Sequence, residues 1–325
     1  MISRRGILIG GAAVTAAALG GSLAGCSEKV TQAFGFAQRM VEIQKRHGGR
    51  IGVSALTGTS TANAEADAKA DAKADGSLSI QSTERFAMCS TFKWVLAAAI
   101  LRQVDQGRLV LDTAVKYGQA DLLDYAPATT ANVGKGQMTV AGLCSAAVSL
   151  SDNTAANLLL PLIGGPARLT AFVRGLGDTV TRFDRTEPAL NSNIDGDEQD
   201  TTTPEAMSTL LRTIFTGTIL KPESLDLLKT WMVATSTGDA RIRAGVPKGA
   251  VVADKTGAGA NNATNDVGVV WLPNKPPVFL SIYTSGGPLD ADGRNRVIAD
   301  ITKLVFDTLG FIETLDNNGD APASA

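Results

Sequence analysis

Ser90 and Lys93 stand three residues apart at the head of Phe86–Ile100, where Cys89-Ser90-Thr91 leads into an apolar, alanine-rich run with no Gly or Pro before Gly107. Such a run predicts a helix that starts near Ser90 and is buried on most of its faces. One helical turn then sets the hydroxyl and the amine on the same side. A hydroxyl there also sits among unpaired backbone N–H groups at the positive end of the helix dipole. An amine one turn below can take the serine proton if burial lowers its own affinity for protons. That is a nucleophile with its base. Taken alone the pair is also what an ordinary capped helix shows, so the remaining chain has to discriminate.

Composition removes the commonest alternatives. The chain holds one histidine, His47, ahead of the first expected strand. Ser-His-Asp triads, paired-histidine zinc sites and His-dependent cysteine chemistry are therefore excluded. Chemistry must come from Ser, Lys, Glu, Asn and backbone amides, with no metal and no cofactor called for. Net charge is −2 with no basic stripe, which argues against a nucleic-acid partner. At 325 residues, 44% of them hydrophobic, there is ample core for one large or two modest domains. Three cysteines make no disulfide framework. Cys26 belongs to the export segment, and Cys89 and Cys144 read as buried free thiols.

The positioning elements follow from pattern. Residues 1–26 form a targeting segment: Arg4-Arg5, an apolar core over Ile7–Leu19, then Leu23-Ala24-Gly25-Cys26. The paired arginines suggest twin-arginine export. The last four residues resemble a bacterial lipobox, which implies lipidation of Cys26 and a membrane anchor at the new N-terminus. Val30–Arg46 reads as an amphipathic helix ended by Gly48-Gly49. Arg50–Thr57 alternates as a strand, with Leu78–Ser82 as its hairpin partner. Between them residues 59–77 repeat Ala-Asp-Ala-Lys; like charges recur four apart, so a flexible, solvated hairpin tip is expected rather than a helix. From Ser90 to about Trp231 the pattern is helical, with turn signals at Gly107, Pro127, Gly134–Gly136 and Gly164-Gly165-Pro166, and an irregular polar stretch over Asp184–Thr203. Val251–Lys255, Asp266–Leu272 and Val278–Tyr283 are short strands, Arg294–Leu309 a closing helix, and residues 313–325 a disordered tail. Strands from both ends of the chain, with helices inserted between, predict an α+β architecture. An antiparallel sheet of about five strands is flanked by the terminal helices (about 30–88 and 235–312). A helical lobe (about 89–234) docks against it, and the cleft lies between them.

Three further motifs accompany Ser90-Thr91-Phe92-Lys93: Ser151-Asp152-Asn153, Glu187-Pro188-Ala189-Leu190-Asn191 and Lys255-Thr256-Gly257. Each alone reads as a cap, a turn or a strand end. In this order and spacing, from about Phe34 to Leu309, they make the chain resemble the class A serine β-lactamases of the penicillin-binding superfamily. The resemblance implies hydrolysis of penicillin- and cephalosporin-type antibiotics by a monomer, through an ester on Ser90. Lys93, directly or through water, or else Glu187 would receive the serine proton, and Ser151, polarised by Lys255, would protonate the leaving nitrogen. Asn153 would meet the substrate side-chain amide, and the backbone N–H groups of Ser90 and Ala258 would hold the oxyanion. Glu187 and Asn191 would hold the water that hydrolyses the ester; penicillin-binding transpeptidases lack that carboxylate and stay acylated. Lys255, Thr256, Gly257 and Arg241 would receive the substrate carboxylate, with Thr264 where another variant of the family carries arginine. Tyr125 would stack at the cleft mouth. Arg185 with Asp200 would pin the Glu187 loop, Asn157 would steady it, and the Glu187–Pro188 bond would be cis. Two departures stand out. Ala258 replaces a hydroxyl residue common in broad-spectrum members. Gly259 replaces the cysteine that some carbapenem-hydrolysing members pair with the residue before the serine, so Cys89 lacks that partner.

Overall fold

The computed structural model describes residues 23–58 and 77–310. The expectations for the targeting segment up to residue 22, the 59–76 insertion and the tail lie outside them. Helix α1 (Leu23–His47) carries Lys45, Arg46 and His47 in its last turn, where positive charge suits the dipole. Gly48, at φ +73°, turns the chain into β1 (Gly49–Thr57), which pairs antiparallel with β2 (Ser77–Ile80). Next come β3 (Phe86–Ala87), a 3-10 turn over Cys89–Thr91, and α2 (Phe92–Asp105). The helical lobe continues through β4 (Ala114–Lys116), α3 (Pro127–Asn132), β5 (Gln137–Thr139), α4 (Val140–Ser149), α5 (Asn153–Leu159) and α6 (Pro166–Gly175). After β6 (Thr201–Thr202) follow α7 (Pro204–Thr216), α8 (Pro222–Val233) and α9 (Ile242–Gly245). Strands β7 (Val251–Ala258), β8 (Thr264–Trp271) and β9 (Val278–Gly286) lead into α10 (Ala291–Thr308).

The sheet has five strands in the order β2-β1-β9-β8-β7, every pairing antiparallel. Alternation along β9 separates two cores. Phe279 and Tyr283 face the helical lobe, with Trp94, Leu101 and Met207. Leu280 and Ile282 face the terminal helices, with Phe36, Met40 and Phe306. Helix α2 is the axis of the lobe, buried without interruption from Phe92 to Leu101. That is why its sequence shows no polar face.

Two readings need correction. Pro127 and Pro166 are not only turn residues: with Pro204 and Pro222 they open helices α3, α6, α7 and α8. A proline's fixed φ and missing N–H are harmless in the first helical turn. The late strands are also longer than apolar runs suggested. Thr256–Ala258 and Thr264-Asn265 pair in the β7–β8 ladder although they are polar or small, because backbone hydrogen bonding does not depend on side-chain hydropathy.

Candidate active site

Ser90 lies in the 3-10 turn that feeds α2, after Cys89, whose φ of +49° is in the left-handed region. A non-glycine residue held there persists only where its surroundings fix it. Asn265 Nδ2 helps by donating to the carbonyls of Ala87 and Met88 at 2.9 and 3.2 Å. One turn on, Lys93 is fully buried. Its Nζ donates to Ser90 Oγ (2.9 Å), the Ser151 carbonyl (2.9 Å) and Asn153 Oδ1 (2.6 Å), and lies 2.9 Å from Glu187 Oε1. Burial draws its pKa below the ordinary lysine value, while the Glu187 carboxylate opposes the shift.

Ser151 and Asn153 are held by the helix start between them. Asp152 caps α5, its Oδ1 accepting from the Ala155 N–H at 2.8 Å, while Oδ2 accepts the N–H groups of Ala128 and Thr129. The cap is thus also the mount for both neighbours. Ser151, at φ +58°, aims its hydroxyl at Lys255 Nζ, 3.0 Å away. Asn153 divides its amide: Oδ1 serves Lys93 and Nδ2 donates to the Asp124 carbonyl at 3.1 Å. Lys255 is itself fully buried, and burial together with the nearby Lys93 charge lowers its pKa to about 7. Tyr125 is 60% exposed with φ +57°, and its carbonyl accepts the Asn153 N–H at 3.1 Å, which ties this exposed ring to the site.

The irregular stretch brings Glu187 to the same point. Its Oε1 accepts from Ser90 Oγ at 3.3 Å, and its Oε2 accepts from Asn191 Nδ2 at 2.5 Å. Asn191 Oδ1 is buried and has no hydrogen-bond partner. The Glu187–Pro188 bond is cis. Asn157 grips Glu187 from both sides, Nδ2 donating to its carbonyl (2.8 Å) and Oδ1 accepting its N–H (3.0 Å). At the loop's base Arg185 Nε donates to Asp200 Oδ2 at 2.6 Å, and Asp200 Oδ1 accepts the N–H groups of Asp184 and Arg185.

The opposite wall is the end of β7. Gly257 is needed there because a Cβ would stand 2.7 Å from the Met88 carbonyl. This close approach brings the Ala258 backbone alongside the Ser90 turn. A Cβ on Gly259 would lie 2.6 Å from Cys89 Sγ; Cys89 and Cys144 are both free and buried. Arg241, whose pKa burial lowers, reaches the carbonyls of Gly257 (3.1 Å) and Asn265 (2.8 Å) and Asn295 Oδ1 (2.8 Å). Sequence reasoning missed two members of this wall. Thr237 Oγ1 lies 2.6 Å from Thr256 Oγ1, and Arg294 Nε donates to Thr264 Oγ1 at 2.9 Å. Arg294, arriving from α10, thus holds the Thr264 hydroxyl from behind. No motif announces either residue, since both contacts join segments distant in sequence.

Comparison with known proteins identifies the family. The family model described as the β-lactamase enzyme family matches residues 43–309. The chain is 40% identical to β-lactamase OXY-2 of Klebsiella oxytoca, covering 84% of this chain and 89% of that protein. It is 42% identical to β-lactamase Toho-1 of Escherichia coli, covering 86% and 90%. Among solved structures, the class A β-lactamase of the last common ancestor of Gram-negative bacteria superposes with a TM-score of 0.77 at 48% identity, covering 84% of this chain and 98% of that one. A β-lactamase from Xanthomonas campestris gives 0.77 at 42%, covering 85% and 97%. Fold, site and relatives together show that the chain belongs to the class A β-lactamases.

Proposed function

We propose that this protein hydrolyses the β-lactam amide bond of penicillin- and cephalosporin-type antibiotics through a serine acyl-enzyme, and thereby confers resistance to them. The observation that carries the reading is the position of Glu187. One oxygen of its carboxylate is 3.3 Å from Ser90 Oγ and 2.9 Å from Lys93 Nζ, and the other accepts from Asn191 Nδ2. Ser90 Oγ attacks the lactam carbonyl while its proton passes to the base formed by Lys93 and Glu187. The backbone N–H groups of Ser90 and Ala258 take the developing oxyanion. Ser151, bonded to Lys255, hands a proton to the lactam nitrogen as the C–N bond breaks, and the ring opens to an ester on Ser90. Lys255 and Arg241, with Thr256 beside them, attract the substrate carboxylate; Tyr125 borders the mouth and Asn153 turns its remaining N–H toward the substrate side chain. Water held by Glu187 and the unpartnered Asn191 Oδ1 then loses a proton to Glu187 and attacks the ester, releasing the acid and restoring Ser90.

Replacing Glu187 by Ala tests the last step. Acylation is expected to persist and deacylation to slow by about 10²–10⁴-fold, the usual range for a positioned general base. Intact-mass spectra after brief exposure to benzylpenicillin should show the adduct retained on the variant and cleared from the parent enzyme. Rapid clearance from Glu187→Ala would overturn the assignment. The same reading assigns the protein to the periplasm or cell envelope as a monomer. The location is supported by Arg4-Arg5, the apolar Ile7–Leu19 and the lipobox-like Leu23–Cys26. Metabolic labelling with palmitate tests the anchor: label should enter the parent and not Cys26→Ala.

A further inference from the structure

Behind the cationic wall, on the sheet face turned toward α9 and α10, two aspartates meet. Strand register pairs Asp254 with Gly268 and Thr256 with Asp266, so the two acids are diagonal neighbours on one face. Both are fully buried. Each spends one oxygen on a donor: Asp254 Oδ1 accepts from Arg243 Nε at 2.7 Å, and Asp266 Oδ2 accepts the Ile242 N–H at 3.1 Å. Their other oxygens, Asp254 Oδ2 and Asp266 Oδ1, are buried and receive no N–H or hydroxyl donor. The strand register sets these two carboxyl groups beside each other on the same face. Gly238 covers Asp254 Oδ2 so closely that a Cβ would stand 1.9 Å from it. Two bare carboxylates in this setting would repel without solvent to screen them. One proton between them satisfies both.

We propose that Asp254 and Asp266 share a single proton, carried by Asp266, and that this acid–carboxylate pair positions Arg241 from behind. Asp254 keeps the charge because Arg243 forms an ion pair with it, Nη2 to Oδ1 at 2.5 Å. Asp266 meets only a backbone N–H. Burial raises both acids, Asp254 to about 6 and Asp266 well above the carboxylate range, the latter also under repulsion from Asp254. A proton shared by the pair is therefore held to higher pH than exposed carboxylates would hold it. The charges facing the pair are Arg241 and Arg243 at α9 and Lys255 on β7, with Arg294 of α10 beyond Arg241. By holding the Ile242 N–H, Asp266 fixes the residue next to Arg241, whose guanidinium caps the end of β7. A second negative charge would draw the field of Arg241 and Lys255 away from the cleft. This positioning role rests on the carboxylate-recognition reading above; the location of the proton does not.

Asp266→Asn preserves the pattern, since Oδ1 still accepts from Ile242 and Nδ2 donates to Asp254. Infrared difference spectra at pH 7 should show a protonated-carboxyl C=O band in the parent that shifts in D2O and is missing from Asp266→Asn. Thermal unfolding supplies a second readout. An acid whose folded pKa lies above its unfolded value of about 4 withdraws stability as pH climbs from that value to the folded one. The parent should therefore lose Tm from pH 5 to 8 more steeply than Asp266→Asn. Asp266→Ala, which releases Ile242 and strands Asp254 Oδ2, should raise KM for a carboxylate-bearing penicillin about tenfold with little change in kcat, while Asp266→Asn restores the parent value. A band that survives in Asp266→Asn, no band in the parent, or parallel Tm profiles would overturn the shared proton. A KM unmoved in Asp266→Ala would overturn the positioning role. The infrared and Tm readouts do not depend on whether Glu187 activates water.

Discussion

Lys255 Nζ and Lys93 Nζ are two buried amines joined through the backbone and hydroxyl of Ser151. Each depresses the other's hold on a proton, but only Lys93 has a carboxylate at contact distance to compensate. Lys255 accordingly titrates near pH 7, charged below and neutral above. On the proposed function, loss of that charge removes an attraction for the substrate carboxylate. The alkaline limb of kcat/KM for penicillins should therefore fall near pH 7, and the limb of kcat higher, because bound substrate stabilises the ammonium. Lys255→Arg should move the limb above about pH 10, since a guanidinium does not deprotonate there; pH profiles that coincide for both enzymes would exclude Lys255 as the titrating group. Cys89 sits at the other extreme. Burial and the Glu187 charge push its thiol up to about 12, so it should stay inert to thiol reagents until the protein unfolds. Yet a Cβ at position 259 would lie within bonding range of its sulfur. Gly259→Cys should therefore close a disulfide to Cys89, read as two thiols that become titratable only after reduction. A variant in which both thiols remain free after oxidation would contradict the approach of these two segments.

Element-scale behaviour centres on the 184–203 loop. Such a stretch has no periodic core face, yet it delivers Glu187 with ångström accuracy because it is tied at both ends. Asp200 accepts two backbone N–H groups and an arginine at one end, and Asn157 holds Glu187 itself. Removing one partner of a buried, hydrogen-bonded ion pair costs about 3–5 kcal/mol, and the partial exposure of Arg185 sets the expectation for Asp200→Ala near the lower bound. Urea denaturation should report that loss, and amide exchange should accelerate selectively in 184–200. Exchange that rises equally in α2 would mean the aspartate supports the whole lobe instead. The limits of sequence reading are visible here. Long elements and the motif residues were legible because apolar periodicity and fixed spacing survive in one dimension. The two-residue strands β3 and β6, which pair with each other and so join the segment before the Ser90 turn to the end of this loop, carry no period at all. Arg294, Thr237 and Asp266 escaped for a related reason: each acts through a contact with a distant segment, and no local pattern encodes which partner will be there.

At the scale of the molecule, one sheet separates chemistry from tolerance to change. Register places Ala258 opposite Thr264, Thr264 opposite Thr284 and Thr284 opposite Ile51, so the catalytic end of the sheet is the row through Ile51. The 59–76 insertion springs from the other end, where Leu56 pairs with Ser77. It also springs from the other edge, since β2 and β7 bound the sheet. Four strand spacings across and five residues along separate the two points by about 25 Å. Because the β1–β2 ladder already holds Leu56 and Ser77 together, the connection needs no particular length. Shortening it several-fold should relieve about 1–2 kcal/mol of loop-closure entropy. Replacing residues 59–74 with a two-residue turn should therefore leave kcat/KM for penicillins unchanged and hold or raise Tm. A large fall in kcat/KM with Tm preserved would show that the insertion reaches the cleft, and the separation of edge from site would then be wrong.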